Sequence, residues 1–231
     1  MSQTHAGFKE FWEEEASRWS LTNKNPLVGW YAEHMSDEQE GQLLFRGVPA
    51  DTNLLALEYG CGPGRNIIKF RDRFARVDGV DISPTILAKL PSNLEESGVQ
   101  VPNVWLTNGF EIPQVPDNTY DVVFSIICQQ HITYRSWRLN LYKEFLRVLK
   151  PGGVFTFQMG YGPGHPISVD YFFDDLTPSA GHRDVRVEDA EVLKKDLEDS
   201  GFTNVSHVLT VPNHDQHPQW IWVTCQRPVV G

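Results

Sequence analysis

The feature that most constrains this chain is a short apolar run ending in alternating glycines, Leu54-Leu55-Ala56-Leu57-Glu58-Tyr59-Gly60-Cys61-Gly62-Pro63-Gly64. Such a run reads as a strand, and residues 66–74 read as a helix, so the glycines form the turn between them. Glycine adopts positive φ freely and lets a ligand approach without Cβ obstruction. A dinucleotide site would prefer G-x-G-x-x-G, which brings a pyrophosphate to the helix N-terminus. Here Arg65 stands where that third glycine would be, and the pattern is E-x-G-x-G-x-G. Glu58 suits the cationic amino-acid end of a ligand, directly or through water. An ordinary strand–helix turn is the competing reading, and three alternate glycines after an acid argue against it.

Downstream the chain keeps a β-α rhythm. Residues 77–80, 104–107, 120–125 and 154–159 read as strands, with helices over 84–97 and 137–149. Ser83 is placed to cap the first of these helices, with Pro84 at its first position. A further helix over 188–200 stops at Gly201. Two last strands, 205–211 and 220–226, are joined by a connection short enough for an antiparallel pair. This order predicts a parallel sheet with helices on both faces. Residues 1–50 form an aromatic, acidic extension in which Phe8, Phe11, Trp12, Ala16 and Trp19 recur at helical spacing. A second short helix is expected over 36–45 with Ser36 as N-cap. Residues 160–183 break the rhythm with glycines and prolines around Tyr171-Phe172-Phe173-Asp174-Asp175. A long irregular stretch inside a compact domain is usually functional. The expected organisation is therefore a helical extension over 1–50 that covers a substrate site, and a domain over 51–231 with a cap-like insertion at 160–183.

Composition narrows the function. Twenty basic and 30 acidic residues give a formal charge of −10, a field that repels phosphate and argues against nucleic acid as partner. No apolar run approaches the ~20 residues of a membrane span, and the start lacks a secretory pattern. Cys61, Cys128 and Cys225 are odd in number and none pair at metal-ligand spacing, which fits reduced thiols in a cytoplasm. His214-Asp215-Gln216-His217 invites a metal hypothesis, but it lacks a third ligand and falls between the last two strands, so no metal site is expected.

A second motif, Gly79-Val80-Asp81-Ile82-Ser83, ends the next strand in a carboxylate able to accept hydrogen bonds from both hydroxyls of a ribose. Capping of the following helix is the alternative role of Asp81. With these two motifs, Asn118-Thr119-Tyr120-Asp121-Val122-Val123-Phe124-Ser125 and Leu146-Arg147-Val148-Leu149-Lys150-Pro151-Gly152-Gly153, the chain resembles the class I (Rossmann-like) S-adenosylmethionine-dependent methyltransferase family. The resemblance covers about residues 54–226. It implies a doubly wound α/β fold: a seven-stranded, mostly parallel sheet with a reversed C-terminal hairpin and helices on both faces. It further implies S-adenosyl-L-methionine as cofactor, held by Glu58, Gly60, Cys61, Gly62, Gly64, Asp81, Ile82, Asn108, Gly109, Phe110 and Ile126. The family often has Gly-Asp-Ala after its third strand; Asn108 stands at that acid here, and its amide oxygen would accept from the adenine amine.

The acceptor site is implied over the fourth and fifth strands. His131 is the candidate general base, because imidazole titrates near neutrality; its alternative role is to orient the loop before Tyr134. Gln130, Tyr161 and Phe172 are expected to bind substrate, joined by Trp19 and Tyr31 from the extension. The expected activity is transfer of a methyl group to oxygen, nitrogen or sulfur of a small-molecule acceptor. Two other readings stay open: a cofactor-binding accessory protein without catalysis, and a methyltransferase of a macromolecule.

Overall fold

The structure is a computed structural model that describes residues 3–20, 36–49, 51–163, 168–172, 184–212 and 217–229. Tyr31, Phe173, Asp174, Asp175 and His214 lie outside the described residues, and with them most of the centre of the expected cap.

The parallel core is built from β1 (Leu55–Tyr59), β2 (Arg76–Asp81), β3 (Val104–Leu106), β4 (Tyr120–Ser125) and β5 (Leu149–Tyr161), arranged β3-β2-β1-β4-β5. Period-two alternation explains why both faces are buried. Leu57, Tyr59, Val123, Phe155 and Phe157 face α5 (Arg135–Val148) and α6 (Ala190–Asp199), packing on Leu141, Tyr142, Phe145, Leu193 and Leu197. Ala56, Val122, Phe124 and Val154 face the other way, onto Leu44 of α2 (Asp37–Leu44), Ile67 of α3 (Arg65–Lys69) and Leu90 and Leu94 of α4 (Pro84–Glu96). The helix expected over 66–74 ends early, at Lys69. Phe70 and Phe74 instead close edge-on around Phe45, with ring centroids 4.8 and 5.1 Å away. Helix starts follow the capping signals: Ser83 accepts from the Ile86 N–H, and Ser36 and Gln39 form a reciprocal capping box.

The sheet departs from the seven-stranded expectation by two short additions. The reversed hairpin, β8 (Thr203–Thr210) and β9 (Gln219–Gln226), lies antiparallel along one side of β5, from Val154↔Gln226 to Tyr161↔Gln219. On its other side β5 pairs with β4 as far as Ser125↔Phe157. Where β4 ends, β7 (Asp184–Val187) takes over the same column through Gly160↔Arg186 and Tyr161↔Val187, with β6 (Ser168–Asp170) beside it. The stretch read as irregular thus ends in a strand whose Val185 and Val187 are buried in the core while Asp184 and Arg186 project the other way.

Arg138, wholly buried on α5, donates to the carbonyls of Ile132, Thr133 and Tyr171 and lies over the Tyr171 ring. It thereby ties the loop after β4 to the chain after β6. Across the carboxyl edge of the sheet runs α1 (Gln3–Arg18). Lys89 of α4 holds its C-terminal end by donating to the Ala16 and Trp19 carbonyls, at 2.7 and 2.6 Å.

Candidate active site

The glycine turn is shaped by its surroundings. Gly60, Gly62 and Gly64 all have positive φ, at 79°, 52° and 92°. The Gly60 and Cys61 N–H groups both donate to the Val80 carbonyl, at 2.8 and 3.0 Å. A Cβ on Gly60 would lie 2.6 Å from Cβ of Cys128, and one on Gly79 2.7 Å from Sγ of Cys61. Those two cysteines therefore fill the space that two glycines leave. Burial pushes both thiols up, so they are neutral packing groups.

Asp81 bridges the glycine turn and the start of α4. Its Oδ2 accepts from the Gly62 N–H at 2.9 Å and its Oδ1 from the Ser83 N–H at 3.0 Å. The Ile82 N–H also bears on this carboxylate. Burial lifts the Asp81 carboxyl above its usual range against these hydrogen bonds, and Glu13 of α1 adds to the lift. Glu58 is fully buried. Asn66 donates to its Oε1 at 2.6 Å, and its Oε2 has no partner. Burial holds this carboxyl well above the ordinary range, with Asp81 contributing. A buried carboxylate oxygen without a donor is costly, and a cationic ligand group is what would relieve it.

Beside the turn, the side chain of Ile82 meets Gly109, whose carbonyl accepts from the Tyr59 hydroxyl at 3.1 Å. Phe110 lies against Trp137 at 5.4 Å, and Trp137 against Phe8 of α1 at 5.6 Å. Ile126 is buried just past β4. Asn108 departs from expectation. Its Oδ1 accepts from the Phe110 and Glu111 N–H groups, at 3.1 and 2.8 Å, so both lone pairs are engaged in holding the turn. An adenine amine would need another acceptor.

The loop after β4 opens with Ile127 at φ 57°, a left-handed conformation that strains a β-branched residue by about 1–2 kcal/mol. The Ile127 N–H donates to Oε1 of buried Gln158 at 3.1 Å. A one-turn helix, Gln129–His131, follows. His131 Nδ1 lies 2.8 Å from Oδ1 of Asp184 on β7, and its ring rests 5.1 Å from that of Trp12. Gln130 is buried and reaches the same carboxylate, donating from Nε2 to Asp184 Oδ2 at 3.1 Å. His217 comes within 3.6 Å of that oxygen, so it joins this end of the sheet instead of lying apart from it.

The other expected substrate residues fare unevenly. Tyr161 is half-buried at the end of β5. Trp19 is buried among Ala16 and Ile86, and Trp12 is the tryptophan of α1 that touches His131. Phe172 is 54% exposed, with the Arg135 guanidinium 5.3 Å from its ring centre. Asp184, Ile127 and Glu13 were not singled out from the sequence as site residues. For Asp184 the only available signal was the alternation Asp184-Val185-Arg186-Val187, which marks a strand but not what the strand faces.

A family model described as a methyltransferase domain matches residues 56–153, the stretch that holds the glycine turn, Asp81 and the β4 loop. Over that stretch, somewhat under half of its length, the chain is similar to the methyltransferase-domain family. It is 28% identical over 177 residues to sterol 24-C-methyltransferase ERG6B of Gibberella zeae, covering 72% of this chain and 44% of that protein. It is 31% identical to phosphoethanolamine N-methyltransferase 2 of Caenorhabditis elegans over 150 residues, covering 64% of this chain and 32% of that protein. The chain thus spans less than half the length of these relatives. Among solved structures, the complex of DhpI with SAH aligns over 99% of both chains with a TM-score of 0.64 at 18% identity, a likeness of fold.

The family's methyl donor carries an ammonium at one end and a ribose in the middle, and the unpartnered Glu58 oxygen and the Asp81 carboxylate fit those groups. Glu58→Gln tests the fit. The Asn66 donor would hold the new amide oxygen in place of Oε1, leaving its NH2 where a cation is expected. S-adenosylhomocysteine affinity should fall by about 1.5–3 kcal/mol in calorimetric titration. The ligand-free protein should respond oppositely. A carboxyl whose folded pKa is raised binds its proton more tightly folded than unfolded, so Glu58 weakens the fold as pH rises through that window. The variant should therefore melt higher than the parent at neutral pH, with the gain vanishing in acid. Equal affinity for both proteins would remove Glu58 from the donor site.

Proposed function

We propose that this chain transfers the methyl group of S-adenosylmethionine to an oxygen, nitrogen or sulfur of a small-molecule acceptor, with His131 taking the acceptor's proton. The observation that carries the reading is the His131–Asp184 pair at the carboxyl end of β4, next in the sheet to the glycine turn after β1. In this reading Glu58 and Asp81 hold the donor's charged and hydroxyl groups, while Ile82, Gly109 and Phe110 flank its base. Bound there, the donor supplies a methyl group already activated on a sulfonium. What the chain adds is alignment, exclusion of water and removal of a proton. Phe8, Trp12, Trp137 and Tyr134 supply the apolar surround. Relatives named for sterol and phosphoethanolamine methylation support a small acceptor of either apolar or charged character.

A rate screen with phosphoethanolamine, catechol, thiophenol and a dicarboxylate, read as S-adenosylhomocysteine released, tests the activity. Calorimetry with S-adenosylhomocysteine against NAD tests the donor, and preference for NAD would end the proposal. With the best acceptor, His131→Ala should lower turnover by about 10²-fold or more while leaving S-adenosylhomocysteine affinity intact. Turnover near that of the parent would leave His131 an orienting role only.

A further inference from the structure

We infer that Asp184 is a positioning residue that fixes the tautomer of His131, through a chain of hydrogen bonds beginning at the backbone of Gly160. The inference rests on His131 acting as the base. A backbone N–H can only donate, so the Gly160 N–H, 3.0 Å from Oε1 of Gln130, fixes which end of that amide is oxygen. Nε2 of Gln130 is then a donor, and it meets Oδ2 of Asp184 at 3.1 Å. A carboxylate only accepts, so Nδ1 of His131, 2.8 Å from Oδ1, must carry a proton. In neutral imidazole that puts the accepting lone pair on Nε2. When a hydroxyl, thiol or ammonium acceptor is methylated, its proton passes to that lone pair, and the resulting imidazolium faces a carboxylate already oriented to receive it.

The pair is built into the fold. The side chains of His131 and Asp184 are 13% and 10% exposed, and Gln130 and His217 are buried. Asp184 reaches His131 because β7 continues the column of β4 past its end. By the register of β7 on β5, Asp184 comes level with Gln158, beside the loop where β4 stops. The His217 ring packs on Gly160, where a Cβ would overlap it, and stands on the far oxygen of the same carboxylate. The Trp12 ring limits rotation of His131 from the α1 side.

Nitrogen-15 spectra of histidine-labelled protein bound to S-adenosylhomocysteine at neutral pH test this without turnover. His131, assigned by its loss in His131→Ala, should appear as the neutral Nδ1–H tautomer. In Asp184→Asn, Gln130 still needs an acceptor, so the new amide presents its oxygen there and its NH2 to His131. The ring should switch to Nε2–H, and kcat with the best panel acceptor should fall about tenfold to a hundredfold at unchanged S-adenosylhomocysteine affinity. Asp184→Glu, which keeps an acceptor, should retain the Nδ1–H form and much of kcat. An Nε2–H form or an imidazolium in the parent overturns the inference even if no variant folds. A loss of kcat in His131→Ala with unchanged tautomer and rate in Asp184→Asn overturns it alone. Normal turnover in His131→Ala overturns the reading of His131 as base, whatever its tautomer.

Discussion

Tyr171→Ala is expected to cost about 3–5 kcal/mol of unfolding free energy, while its neighbour Phe172→Ala costs less than about 1 kcal/mol. The two aromatics are adjacent in sequence, and both fell in the stretch expected to cap the acceptor site. Tyr171 is buried in the core cluster formed with α5. Its hydroxyl lies 3.4 Å from that of Tyr142, and Arg138 stacks over its ring at 4.6 Å. Burial drives its phenol well up, so the ring enters the core neutral. Truncation would leave a ring-sized void beneath a buried guanidinium. Phe172 is 54% exposed, against the Arg135 guanidinium and edge-on to the Tyr171 ring, so its removal vacates mostly solvent-facing space. Urea unfolding with a shared m-value measures both differences. Similar costs for the two variants would contradict the assignment of Tyr171 as a plug.

Gly60→Ala combines two penalties. An alanine there adopts φ 79°, at about 1–2 kcal/mol, and forces Cys128 aside, at about 1–3 kcal/mol for an overpacked contact. The turn that positions the Gly62 N–H on Asp81 shifts with it, so S-adenosylhomocysteine affinity should collapse along with stability. The steric part is separable. Cys128→Gly opens the space, and the double variant should recover the overpacking share while retaining the conformational one. A double-mutant cycle by thermal melts measures the coupling. Strict additivity would show that Cys128 is not the obstacle.

The nearer an element lay to its own local signals, the better the sequence revealed it. The strand Tyr120–Ser125 came out residue for residue, because its apolar stretch is bounded by Asn118 and the loop at Ile126. Ser83 and Pro84 marked the start of α4 through short-range chemistry alone. The helix after the glycine turn was overestimated, since its helical pattern continued through Phe70 and Phe74, and only the tertiary demand of Phe45 turns those rings into the core. Strands β6 and β7 escaped because each is three or four residues long and the glycines and prolines around them read as loop. Trp12 and Trp19 share one helical face, so periodicity could not say which end of α1 reaches the site. Asp184 was invisible for a stronger reason: its partner His131 is 53 residues away, and the contact exists only where β7 replaces β4 beside β5.

That hand-over between β4 and β7 separates the site into parts that can change independently. The groups assigned to the methyl donor all lie between Glu58 and Ile126, on the motif-rich part of the chain. The carboxylate behind His131 arrives from the segment after β5, where the motifs have ended. On the proposed role of His131, substitutions at Asp184 should change deprotonation of the acceptor while leaving the groups assigned to the donor in place. Because Tyr171, Val185 and Val187 of that segment belong to the core, variation that keeps the fold there is confined to its other positions.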